Sequence, residues 1–229
     1  MISVFACLLT VGLFTFTRAV HKCYSTPLLN PVLLCIVSIA ILLVASNVSY
    51  TDYYLASMPI NVLLEPAIVA LAYPLYSQFT AIRPVLILLI VSAFLGISVA
   101  TLMAYMLCLL FNAEPTLVAS LMALSVTTPI TLLITDALGG LPSIAAVMVI
   151  LIGIVGSVFG LSLLQLCNIS QPQAKGIALG VGCHAIGTAA AMEYDPQAGA
   201  FASAAMIISA IISAFWVPIF FTILNSLSG

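Results

Sequence analysis

Apolar residues run along this chain in blocks about as long as a bilayer crossing, separated by short joints rich in Pro, Gly, Asn and charge. A spanning helix needs about 20 predominantly apolar residues. The breaks divide the sequence into candidate segments at residues 1–17, 31–48, 60–78, 84–111, 116–138, 142–167, 174–192 and 198–225. The joints are Arg18-Ala19-Val20-His21-Lys22, Asn47 to Pro59 with Asp52, Arg83-Pro84, Asn112 to Pro115 with Glu114, Gly139-Gly140-Leu141-Pro142, Gln171 to Lys175, and Glu193 to Pro196. This pattern predicts an all-α integral membrane fold of about seven to eight hydrophobic segments.

Two of the segments are interrupted by polar and helix-breaking residues, at Ser125-Val126-Thr127-Thr128-Pro129 and at Gly180-Val181-Gly182-Cys183-His184-Ala185-Ile186-Gly187-Thr188. In hydrocarbon every backbone N–H and C=O must find a partner within the protein. Broken helices at membrane depth therefore persist only where they line a cavity or a site. The two breaks predict discontinuous or re-entrant helices, and a transporter.

Composition agrees. The chain is 64% apolar with only four Lys or Arg and six Asp or Glu, and its mean hydropathy is +1.35. That is too few ionised groups to keep a folded surface dispersed in water. No stretch is long and polar enough for an independent soluble domain, so residues 1–229 are read as one integral membrane domain in contact with lipid and not with nucleic acid. The apolar run at 1–17 has no basic residue before it and no clear small-x-small cleavage pattern after it, and is read as an uncleaved first span. Six scattered cysteines without a C-x-x-C pair predict neither a metal site nor a disulfide framework. No cofactor is expected.

Cytoplasmic loops carry the excess of Lys and Arg. Arg18, Lys22 and Arg83 accordingly put the first and third loops inside and the amino terminus outside. If 116–138 enters and turns back at its break, Lys175 joins the other cations inside. If it crosses fully, Lys175 emerges outside. The re-entrant arrangement is favoured, and it runs the seventh segment (174–192) from inside to outside, leaving Glu193 and Asp195 outside. The third and seventh segments are then antiparallel, and Asn30-Pro31 and Leu141-Pro142 open the segments before them. Together these predict an inverted repeat with halves at 1–111 and 112–229.

Several residues are candidates for function, each with a structural alternative. Glu65 stands between Leu64 and Pro66 in an apolar run with a second proline at Pro74. It could take or release a proton, or simply favour a helix start and reach the headgroups. Tyr73 and Tyr76 suit an interfacial aromatic belt. Ser125, Thr127 and Thr128 can replace backbone bonds lost at the break and still present donors to an oxyanion at a helix end. His184 is the histidine inside a span, and nearby glycines let the backbone unwind or a ligand approach. Gly187 and Thr188 follow it. Cys183-His184 is not a metal pair, because adjacent helical residues point about 100° apart. Gly153, Gly156 and Gly160, and separately Gly176 and Gly180, are read as faces for close helix packing.

At these same residues the chain resembles the LrgB/CidB family of bacterial membrane proteins, which includes the LrgB-like half of a plant plastid glycolate and glycerate carrier. The resemblance spans nearly the whole chain. It is carried by Pro27-Leu28-Leu29-Asn30-Pro31, Leu64-Glu65-Pro66 through Tyr73-Pro74-Leu75-Tyr76, and Ser125-Val126-Thr127-Thr128-Pro129-Ile130. Gly139-Gly140, Gly176-Ile177-Ala178-Leu179-Gly180, His184-Ala185-Ile186-Gly187-Thr188-Ala189 and Glu193 complete it. It implies a multi-pass protein of the bacterial cytoplasmic (inner) membrane and one of two functions. One is transport of a small organic acid of the pyruvate, glycolate and glycerate class. The other is an antiholin-like modulation of murein hydrolase activity and lysis. It also implies a separate small LrgA/CidA-type membrane partner. Many relatives carry a cation just before the Ser/Ala-Val-Thr-Thr motif and another shortly after His-x-x-Gly-Thr-Ala, where this chain has Leu124 and Ala190.

The transport reading places a substrate site at Ser125, Thr127, Thr128, His184, Gly187 and Thr188, with Glu65, His184 and Glu193 as proton-coupling candidates. Its substrate is a small organic acid or its protonated form. A homo-oligomer, most simply a dimer, is expected. The sequence carries no H-E-x-x-H, Ser/Lys dyad or paired intramembrane aspartates, and no enzyme is expected.

Overall fold

The computed structural model describes residues 2–23, 31–63, 66, 69, 73, 76 and 79–228. All regular structure among them is helical, and the protein is an all-α membrane protein. Backbone contacts divide it into two compact units, Met1–Tyr73 and Pro74–Gly229. Glu65 and the segment Pro27 to Asn30 lie outside the described residues.

The first unit holds α1 (Ile2–Cys23), α2 (Pro31–Ser46), α3 (Tyr50–Ala56) and α4 (Met58–Val62). Thr17 Oγ1 donates to the Pro31 carbonyl at 3.1 Å, tying the end of α1 to the start of α2. Asn47 then takes a left-handed conformation at φ 53°, which an Asn tolerates better than most residues. The chain bends by 118° into α3. Ser49 caps that helix, its Oγ accepting from the Asp52 N–H at 3.1 Å. Tyr53 of α3 reaches back to α1, its hydroxyl 2.7 Å from Thr10 Oγ1.

The second unit begins with α5 (Phe79–Ile82) and a 3-10 turn, Arg83–Val85. It continues with α6 (Leu86–Leu110), α7 (Pro115–Leu121), α8 (Thr128–Ala137), α9 (Pro142–Leu166), α10 (Pro172–Tyr194) and α11 (Pro196–Ser228). Prolines open α7, α9, α10 and α11, where the missing N–H costs nothing. Helices α6 and α9 each have 25 residues, enough for about 37 Å of rise and a full crossing. The first half of α11 is a run of small residues, with Ala198, Ala202, Ser203, Ala204 and Ala205 fully buried, and α10 packs along it. Asp195 caps α11, its Oδ1 accepting from the N–H groups of Gln197 at 2.8 Å and Ala198 at 2.9 Å.

Among the described residues, which leave out most of the predicted segment 60–78, fewer helices are long enough to cross than the hydropathy pattern predicts. Four described helices are long and apolar enough to cross, Ser3–Cys23, Arg83–Leu110, Pro142–Leu166 and Pro196–Leu227. The bent pair Leu33–Ser46 and Tyr50–Ala56 adds a fifth if counted as one span. Two predicted segments are apolar without being spans, and both turn back on themselves.

Residues 116–138 form a re-entrant hairpin, as the distribution of cations favours. Its arms are α7 and α8, joined by a non-helical turn over 122–127. At its base the Leu141 N–H donates to Ser120 Oγ at 2.7 Å. A Cβ on Gly140 would stand 2.7 Å from the Ser120 nitrogen. At its tip Thr131 Oγ1 donates to the Ala123 carbonyl at 2.8 Å, closing the turn.

Residues 174–192 overturn the expectation of a full crossing. The path of α10 is broken at His184, whose φ of 43° and ψ of −133° are far from helical. The two arms, 172–183 and 185–194, fold against each other. Lys175 Nζ donates to the Tyr194 hydroxyl at 2.8 Å, whereas a straight helix would hold residues that far apart in sequence about 28 Å from each other. Glu193 and Asp195 therefore return to the side of Lys175, contrary to their predicted place outside. The hydropathy count misses this because an apolar hairpin and an apolar span have the same composition. Within the second unit, a long span followed by a hairpin occurs twice, at 86–137 and 142–194, entered from opposite ends.

Candidate functional site

The two hairpin tips are built by different local chemistry. In the first, Thr127 takes an extended conformation before α8 and Pro129 sits in the first turn. Thr127 and Thr128 are half-buried at the start of that half-helix, and Ser125 precedes them in the turn. Across from this tip, Thr101 of α6 donates from its hydroxyl to the Met122 carbonyl at 3.1 Å, supplying a partner for a backbone group the turn leaves free.

In the second tip the left-handed residue is His184 itself. It is 3% exposed, and its Nε2 has no hydrogen-bond partner among the described residues. The ring points toward the middle of α9, where a Cβ on Gly153 would stand 2.8 Å from His184 Cε1. The rest of the small-residue face on α9 serves the same arm, since Gly156 accommodates Cys183 and Gly160 accommodates Leu179. Gly176 and Gly180 allow the carbonyls of Ala198 and Ala202 on α11 to approach. These glycines are the packing faces the sequence indicates. Gly187 is buried where the arms meet, a Cβ there lying 2.7 Å from the Leu179 carbonyl oxygen. Thr188 is buried with its hydroxyl 3.7 Å from Met206 Sδ. Glu193 is exposed near the base of the hairpin.

The tips converge on one cavity of about 430 Å³, lined by Ser125 from the first and Gly182 and Val181 from the second, with Ser92, Gly96 and Ala100 of α6 opposite. A second cavity of about 450 Å³ is lined by Ala100, Ala104, Leu121, Leu124, Ser125 and Met148, among others. Among the described residues no Asp, Glu, Lys or Arg lines either cavity. Thr127, Thr128, His184 and Thr188 are not among the lining residues. Ser125 is thus a site candidate that lines both of these cavities, while His184 and Thr188 lie buried behind the second tip.

The contribution of α6 is absent from the motif reading. Ser92, Gly96, Ala100 and Ala104 recur every four residues, a spacing that puts them on one face of a helix. That periodicity is the signal by which they can be found in the sequence. Lys175 is likewise missed as a buried residue, 3% exposed, with its Nζ 4.6 Å from the centre of the Tyr194 ring.

The chain is similar over most of its length to proteins of one kind. The family model described as LrgB-like matches residues 10–223. The chain is 32% identical over 212 residues to a protein named holin-like protein CidB from Staphylococcus epidermidis, covering 93% of each chain. It is 31% identical to the holin-like protein CidB of Staphylococcus aureus (strain Mu50), again over 93% of each. A Bacillus subtilis (strain 168) protein, YxaC, is 33% identical over 218 residues, 95% of each. No solved structure matches the chain.

Proposed function

This chain belongs to the LrgB-like family, and from that membership we propose that it is a holin-like membrane protein that modulates murein hydrolase activity and lysis. The observation that carries this reading is the near full-length similarity to proteins named holin-like CidB. The site of action is the bacterial cytoplasmic membrane, and the partner is a small LrgA/CidA-type membrane protein. Neither role asks for catalysis. Deletion of the gene should change the murein hydrolase pattern of cell extracts and the rate of autolysis, and the intact gene should restore both. Unchanged hydrolase activity and lysis in the deletion strain would remove this reading.

A second reading, carriage of a small organic acid of the pyruvate, glycolate and glycerate class, is favoured by one feature of the fold. Both helix breaks contribute to a single cavity through Ser125 and Gly182. Broken helices whose ends meet at a cavity within the bilayer are the arrangement in which carriers hold solutes. The two readings are separable, because purified protein in liposomes should take up acid without any partner only if the second holds.

A further inference from the structure

The two cavities of the second unit share Ala100 and Ser125. From that junction one runs along α6 to Leu88, facing the first arm of α10 from Gly182 to Ala174. The other runs along α6 in the opposite direction to Phe111, facing Leu117 and Leu121 of α7 and Met148 and Ile152 of α9. End to end they follow α6 from Leu88 to Phe111, and a helical stretch of that length rises about 34 Å, the thickness of a bilayer core. The small residues at Ser92, Gly96, Ala100 and Ala104 form the floor of this furrow.

We propose that this furrow is a solute path through the membrane, continuous past the shared residues Ala100 and Ser125, and that it passes its solute uncharged, as the protonated form of a short carboxylic acid. The proposal rests on the carrier reading and narrows its substrate. Its reason is the lining. Among the described residues the walls carry aliphatic and methionine side chains, small residues, Cys108 and Phe111, and the hydroxyls of Ser92 and Ser125. An ionised carboxylate moving along it would lose its water and meet no cation, which is prohibitive unless the group neutralises. A carboxylic acid needs only a donor and an acceptor, and a serine hydroxyl supplies both.

The path can be closed by substitution. Nothing lies within 4 Å of a Cβ built on Gly182, and the residue lines the cavity, so the side chain of Gly182→Leu enters the furrow beside its junction, with the thermal midpoint of the purified protein as the check that it is folded. Ala100→Trp blocks the opposite wall. The full chain is reconstituted in liposomes and initial uptake of radiolabelled glycolate is measured from pH 5 to pH 8 at fixed total concentration, with uptake by protein-free liposomes subtracted. Uptake should fall about tenfold per pH unit, in step with the protonated fraction. It should be unaffected by an imposed potassium diffusion potential, and pyruvate, the stronger acid, should enter more slowly than glycolate at each pH. Folded Gly182→Leu and Ala100→Trp proteins should lose at least nine-tenths of the uptake. Uptake that is flat with pH or driven by potential would overturn the uncharged path while leaving the carrier reading standing. Wild-type uptake in both blocked variants would overturn the furrow itself. Absence of protein-dependent uptake of either acid would overturn the carrier reading, and this proposal with it.

Discussion

Lys175 and Tyr194 lie nineteen residues apart on one nominal helix, yet the lysine Nζ donates a 2.8 Å hydrogen bond to the tyrosine hydroxyl. That bond closes the base of a hairpin whose tip is at His184, and it fixes both ends of α10 on one face of the membrane. Single cysteines at Gln171 and Glu193, both exposed, should therefore react with a membrane-impermeant thiol reagent from the same side of oriented vesicles, in a background without the native cysteines. Labelling from opposite sides would mean that residues 174–192 cross.

The same pair gives an asymmetric stability prediction. Lys175 is buried and Tyr194 exposed, so removing the hydroxyl leaves the buried ammonium without its partner, while replacing the charged group by an apolar one of similar shape leaves only an accessible hydroxyl. Tyr194→Phe should destabilise the protein by about 1.5–3 kcal/mol, and Lys175→Met by less than about 1 kcal/mol. The double variant should recover most of the loss. Thermal midpoints in detergent decide it, and equal losses in the two single variants would count against the latch.

Several parts of this architecture are legible in the sequence, and their limits have physical causes. Pro129 and the hydroxyls around it mark the first break, and four cations suffice to favour a hairpin there. The glycines at Gly153, Gly156 and Gly160 announce close packing. The second break is visible at His184, but the direction of the chain after it is not. An arm that folds back buries Lys175 against Tyr194, a contact between side chains far apart in sequence that no local pattern encodes. The cavity residues on α6 are legible only as a spacing of four, which reads equally well as helix packing. What distinguishes them is the empty space in front of them, and that is a property of the packed fold.

Gly180 and Gly182, two residues apart, should respond oppositely to alanine. A Cβ on Gly180 would collide with the Ala202 carbonyl of α11, which is backbone and cannot move aside, while one on Gly182 meets nothing within 4 Å. Overpacking of this kind costs about 1–3 kcal/mol. Gly182→Ala should be neutral or stabilising by up to about 1 kcal/mol, because it restricts the unfolded chain. Thermal unfolding of the two variants side by side measures the difference, and equal midpoints would contradict the packing of α10 on α11.

The first hairpin should depend on Thr131 more than on Thr128. Thr131 is fully buried and its hydroxyl donates to the Ala123 carbonyl, whereas Thr128 is half-buried at the start of α8. Valine keeps the shape and removes the donor, so Thr131→Val should lower stability by about 1–2 kcal/mol and Thr128→Val by about 0.5 kcal/mol or less. Proteolysis within 122–127 should become faster in the first variant alone. An unchanged cleavage rate in Thr131→Val would show that the turn holds without this bond.

His184 combines two costs, and substitution can separate them. Its φ of 43° and ψ of −133° lie where side chains are strained by about 1–3 kcal/mol and glycine is not. Its Nε2 is buried without a partner among the described residues, a further cost that any apolar replacement relieves. Alanine removes the polar atom but keeps the strained backbone, while glycine removes both. His184→Gly should therefore be more stable than His184→Ala by about 1–3 kcal/mol, although glycine is the poorer residue in helices generally. The imidazole is held on a backbone conformation that favours glycine. If the ring matters for function, both variants should lose acid uptake or the effect on lysis equally, whatever their thermal midpoints. A His184→Gly protein that is more stable and fully active would instead reduce His184 to a wedge between the arm and α9.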